Sequence, residues 1–141
     1  MNVPSVLAPV FVQVALTFAL LFWMGRSRLA ALRAKEVKVS DVSLGERVWP
    51  PRILQISNAY HNQFELPVLF YAAVAFALIT RQAGFVFVIL SWLYVLTRLV
   101  HAYIYTTSNV LRWRFSVFLV GALVLLALWI LLAVQILLPG S

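Results

Sequence analysis

Cysteine is absent from the chain, and with it go disulfides, thiolate nucleophiles and Cys-x-x-Cys redox chemistry. Charge is nearly as scarce. Charged side chains make up 11% of the 141 residues, where soluble domains carry about 25%, too few to cover a water-facing surface. Acidic residues number four. A soluble enzyme, a disordered tail and several packed domains are all excluded by this composition and length. What is present is apolar: hydrophobic residues are 64% of the chain and mean hydropathy is +0.98. Such a chain belongs in a bilayer.

The net charge of +7 acquires meaning from its placement. Seven of the eleven basic residues, Arg26, Arg28, Arg33, Lys35, Lys38, Arg47 and Arg52, share one segment with Glu36, Asp41 and Glu46. Arg112 and Arg114 occupy a second gap between apolar runs, Arg81 a third, and Arg98 lies inside a run. This is the pattern of the positive-inside rule, not of a nucleic-acid-binding face, so no nucleic-acid partner is expected.

A span needs about 20 mostly apolar residues, and four stretches qualify: about 4–24, 58–80, 84–106 and 115–138. The expected fold is all-α, a four-helix transmembrane bundle forming a single domain over 1–141, with a long loop at 25–57. Loops one and three hold nine basic residues and are expected in the cytoplasm, with both termini and Arg81 outside. Trp23, Trp49 and Trp113 fall at the same boundary. The first run reads as a retained helix, because nothing basic precedes it and Arg26 and Arg28 follow directly. Pro67 is expected to kink the second helix by removing a hydrogen bond to the Gln63 carbonyl.

Ionisable and amide groups inside a span are costly and call for a function. The second run carries Asn58, His61, Asn62 and Glu65, and the third carries Arg98, His101 and Tyr105, each set spaced for one helical face. Counted from the cytoplasmic boundary, Glu65 and Arg98 are level at a depth of about 10–13 Å, as are Asn62 with His101 and Asn58 with Tyr105. The two stripes are therefore expected to face each other, Glu65 compensating Arg98, with Arg114, Arg26 and Arg28 around the mouth. One reading is a basic cavity suited to an anion; another is a purely structural ion pair with its satisfied neighbours. Two histidines without a tighter motif do not make a metal or haem site, and no metal is expected.

These residues resemble the MAPEG family, the membrane-associated proteins in eicosanoid and glutathione metabolism, and the likeness runs over essentially the whole chain. It rests on Asn62-x-x-Glu65 within Asn-Gln-Phe-Glu-Leu-Pro, on Arg98-x-x-His101-x-x-x-Tyr105, and on Arg114 at the start of the fourth run; the first phrase is especially like bacterial members. The resemblance implies a homotrimer in a bacterial inner membrane, binding glutathione between subunits as co-substrate for a transferase or peroxidase acting on lipophilic electrophiles. Arg28, Asn62, Glu65, Arg98, His101 and Tyr105 would bind the tripeptide and Arg114 would stabilise its thiolate. A non-catalytic lipid-binding or scaffold protein of the same fold is the alternative it implies. Two features depart from the family pattern: Asn58 and His61 stand where glutathione-using members carry an arginine, and Pro67 follows Glu65 after one residue instead of three.

Overall fold

The computed structural model describes residues 2–43, 48–138 and 140. Arg47 and Glu46 of the first loop, and the end residues Met1 and Ser141 on which the position of the termini turns, lie outside the described residues. The described chain is all helix and connection: α1 (Val3–Arg33), α2 (Val39–Val42), α3 (Pro51–His61), a 3-10 turn (Asn62–Phe64), α4 (Leu66–Ile79), α5 (Phe85–Thr106) and α6 (Leu111–Leu137). Four helical stretches are long and apolar enough to cross a membrane: α1, the α3–α4 unit, α5 and α6.

Local chemistry sets the ends. Asn2 caps α1 by accepting from the Ser5 amide at 3.0 Å, with Pro4 in the first turn. α1 and α4 both close in paired carbonyl-capping bonds around a left-handed residue, Lys35 (φ 58°) and Arg81 (φ 58°). α1 runs on past its apolar stretch to Arg33, carrying Arg26 and Arg28 on a continuous helix.

α5 is the element around which the others gather, contacting α6, α1 and α3. Its buried residues, among them Phe87, Ser91, Tyr94, Arg98 and His101, recur every three or four positions and form one stripe. One half of that stripe packs into an apolar core with Phe70, Ala73 and Ala77 of α4 and Leu125, Leu128 and Leu132 of α6. The other half is the polar end at Arg98 and His101. Gly121 lets α6 approach α5 closely: a Cβ there would stand 2.7 Å from Thr97 Oγ1. Outward faces are apolar, with Phe11, Phe18 and Phe22 on α1 and Leu123, Leu126 and Ile130 on α6 all exposed, as lipid contact requires.

The second span differs from its expected form in two ways. It begins at Pro51, earlier than 58, and it is not one helix. The helix gives way to the 3-10 turn Asn62–Phe64, breaks at Glu65 (φ −97°, ψ −107°) and restarts, so Pro67 sits in the first turn of α4 and not within a kinked helix. Pro67 has no amide hydrogen, and the first turn of a helix is where that loss costs least. The polar groups around the break are met by side chains: Gln63 is buried, donates to the Ala59 carbonyl at 2.9 Å and accepts from Gln13 of α1 at 2.8 Å. This is how a bilayer tolerates a broken helix.

Candidate functional site

The break decides which residues of the second polar stripe meet those of α5. A continuous helix would align Asn62 and Glu65; the 3-10 turn and the backbone at Glu65 separate them. Asn62 turns inward, where its carbonyl accepts from Arg98 Nη2 at 3.3 Å. Glu65 is exposed, and His61 with it. The expected Glu65–Arg98 ion pair is therefore not formed: among the described residues no carboxylate comes within ion-pair distance of Arg98. Arg98 is instead 2% exposed and held by a backbone carbonyl, its Nε without a partner. The Asn62 carbonyl already accepts the Glu65 amide at 3.4 Å and takes the guanidinium as a second donor.

Asn62, His101, Tyr105 and Arg114 are brought together. With Leu111, Phe115 and Phe118 they line a cavity of about 190 Å³ between the 3-10 turn, α5 and α6. Arg114 is fixed in two directions: its guanidinium lies 4.3 Å from the centre of the Tyr105 ring, and Nη1 donates to Asn109 Oδ1 at 2.6 Å. His101 is wedged between Tyr105 (5.7 Å, edge-on) and Phe118 (6.0 Å). Two buried polar atoms on the lining residues, Asn62 Oδ1 and His101 Nδ1, have no partner in the protein. Unsatisfied groups of this kind are expensive unless a ligand or water meets them. The site thus offers a cation, an acceptor amide and an imidazole in a cavity walled by aromatic rings.

Other expected residues lie elsewhere. Arg28 donates to Ser57 Oγ at 2.5 Å and stacks 5.2 Å from the Trp49 ring, on the α1–α3 side and away from the cavity lining. Arg26 is exposed and Asn58 half-buried; neither lines the cavity. Asn109 went unread from the sequence. It sits in the α5–α6 connection in a left-handed conformation (φ 49°), which asparagine tolerates better than most residues, and a loop asparagine after a span was the available signal. Gln63, whose bond to Gln13 ties the break to α1, is also a residue the polar stripes do not include.

Beyond Phe118, the same face of α6 continues through Ala122, Leu125 and Trp129 at helical spacing. There Leu66 and Leu69 of α4 complete a second cavity of about 450 Å³, almost entirely apolar in its lining, with Trp129 Nε1 donating to the Leu69 carbonyl at 3.2 Å. A polar chamber followed by an apolar one along one helix suits an amphiphilic pair of reactants.

The MAPEG family model matches residues 6–134, nearly the whole chain. This chain belongs to the MAPEG family. That family includes glutathione-dependent transferases and peroxidases, and its members are membrane proteins, in keeping with the four apolar helices seen here. No curated protein and no solved structure matches the chain significantly.

Proposed function

We propose that this MAPEG protein is a glutathione-dependent transferase or peroxidase acting on lipophilic electrophiles, working as a homotrimer. Its broken second helix, Arg98, His101, Tyr105 and Arg114 would face the cytoplasmic half of a bacterial inner membrane, with loops one and three in the cytoplasm and the termini outside. The observation that carries the reading is Arg114, a cation fixed by Tyr105 and Asn109 over a cavity in which Asn62 Oδ1 and His101 Nδ1 lack partners. A fixed cation stabilises a thiolate relative to its thiol, and the thiolate is the attacking species. The thiol proton would leave to solvent, and the thiolate sulfur would bond to the electrophilic carbon of a molecule arriving from the apolar groove beside Leu66 and Trp129. The broken bond's electron pair would depart with the leaving group or, on addition to an activated double bond, take a proton from water. With a lipid hydroperoxide the thiolate would attack the outer oxygen, releasing the alcohol as the O–O bond breaks, and a second glutathione would reduce the sulfenic acid to disulfide and water.

Size supports an assembled site. A cavity of about 190 Å³ is below the roughly 300–1,000 Å³ of ordinary small-molecule pockets, so one chain would hold part of the tripeptide. Glu65 is exposed, free to bind the amino group of glutathione in a site completed by a neighbouring subunit, and Arg28 would supply a carboxylate contact from such a neighbour. Arg98, behind Asn62, would brace that residue and contribute positive potential.

The second reading, a non-catalytic lipid-binding protein of the same fold, draws on Asn58 and His61 in place of the family's arginine and on the engagement of Arg28 with Ser57. Titrating purified protein with glutathione separates the two. Saturable binding supports the enzyme; lipid binding with no glutathione binding supports the alternative.

A further inference from the structure

On the other side of α5 from the candidate site, α1 and α5 leave a groove of about 240 Å³ lined by Leu16, Ala19, Leu20, Leu99 and Ala102, with Trp23, Tyr103 and Thr106 at one end. From Leu16 to Trp23 it extends about 10 Å along α1, most of the depth of one leaflet of a hydrocarbon core about 30 Å thick. Its open end is basic and aromatic. Arg52 lies 5.3 Å from the Trp23 ring and donates Nη1 to the Thr106 carbonyl, the last residue of α5. Trp23 is 39% and Tyr103 69% exposed, as expected of rings at a membrane–water boundary.

Capping α5 accounts for one of the five guanidinium donors of Arg52, and the face of Trp23 consumes none. Arg52 is itself exposed, and among the described residues no carboxylate pairs with it. Arg26, three residues past Trp23 on the same helix and also exposed, adds a second cation on that side. An apolar groove as deep as much of a leaflet, with a forked cation and two aromatic rings at its interfacial end, is complementary to one kind of molecule. We propose that this groove binds an anionic phospholipid, its phosphate on Arg52 and the upper part of one acyl chain along Leu16, Leu20, Leu99 and Ala102. Arg52 would pair with the phosphate through its remaining fork, and the negative lipid would offset positive charge concentrated at this boundary.

The test reconstitutes the full chain in bilayers of equal phosphatidylcholine and phosphatidylglycerol, extracts it in mild detergent and counts retained lipids by native mass spectrometry. The parent should keep phosphatidylglycerol in at least severalfold preference over phosphatidylcholine, undisturbed by excess inorganic phosphate. Arg52→Gln should lose that preference, Arg33→Gln should retain it, and Ala19→Phe, which fills the groove, should release the lipid at unchanged oligomer size. Equal retention by Arg52→Gln and the parent would overturn the proposal. So would competition by inorganic phosphate, an equal loss in Arg33→Gln, or a changed oligomer in Ala19→Phe, which would give the groove to a second copy of the chain.

Discussion

The guanidinium of Arg114 rests 4.3 Å from the centre of the Tyr105 ring, across the α5–α6 connection. Cation and ring are brought together by a short loop whose one left-handed asparagine, Asn109, also accepts from Arg114 Nη1 at 2.6 Å. The position of the cation is therefore a property of the loop as much as of the helices, and the loop becomes testable separately from the charge.

Asn109→Gly keeps the left-handed backbone accessible and removes only the side-chain acceptor. Losing such an anchor should cost about 1 kcal/mol of positioning, or about fivefold in glutathione conjugation rate, with the melting temperature in detergent little changed. Asn109→Val, strained at this φ, should lower stability as well. Unchanged kinetics in Asn109→Gly would mean that Tyr105 alone holds the guanidinium.

Arg98 and Glu65 should be only weakly coupled, by charge across a gap and not by a direct ion pair. Glu65 has no ion-pair partner among the described residues of its own chain, so in the absence of glutathione Glu65→Gln should strand no buried cation and should cost no more than about 0.5 kcal/mol of stability in detergent. Arg98→Met removes a buried donor from the Asn62 carbonyl and should be the larger change. A double-mutant cycle by denaturant unfolding should give a coupling below about 1 kcal/mol; a larger one would restore the ion pair.

Gln13 and Gln63 should be strongly coupled. Gln13→Leu leaves Gln63 Oε1 buried beside the helix break without its donor, at a cost of about 1–2 kcal/mol. The Gln13→Leu, Gln63→Leu pair should lose less than the sum of the two single changes. Simple additivity in the cycle would show that the bond does not support the break.

Much of this was legible in the sequence. The four spans follow from run length, and the α5 stripe follows from spacing, because a continuous helix carries periodicity directly into three dimensions. Of the seven residues expected at the site, Asn62, His101, Tyr105 and Arg114 line one cavity, and Arg28, Glu65 and Arg98 do not. The Glu65–Arg98 pairing failed for a local reason. Pro67 announced a disturbance in the second helix, but spacing could not say that the backbone would break two residues earlier and turn Glu65 outward. Nothing in the spacing joins Gln13 to Gln63, because an isolated amide does not reveal a partner fifty positions away. Asn109 has no periodicity to read at all.

The proposed topology rests on the nine basic residues of loops one and three. A cysteine introduced at Ser43 should react with a membrane-permeant maleimide only, and one introduced at Gln82, in the α4–α5 turn, with an impermeant reagent added to intact cells. The chain has no native cysteine, so labelling is unambiguous. The reverse pattern would put the candidate site on the other face of the membrane.

Glutathione chemistry at Arg114 is the central claim, and the ultraviolet absorbance of thiolate in bound glutathione near neutral pH tests it most directly. The parent should hold a substantial thiolate fraction. Arg114→Ala should hold far less and conjugate about ten- to a hundredfold more slowly, the worth of one charge-assisted contact of roughly 1.5–3 kcal/mol. Arg112→Ala, exposed and on another face of α6, should match the parent. Equal thiolate fractions in parent and Arg114→Ala would remove Arg114 from the mechanism, and no thiolate in either would contradict the enzyme reading.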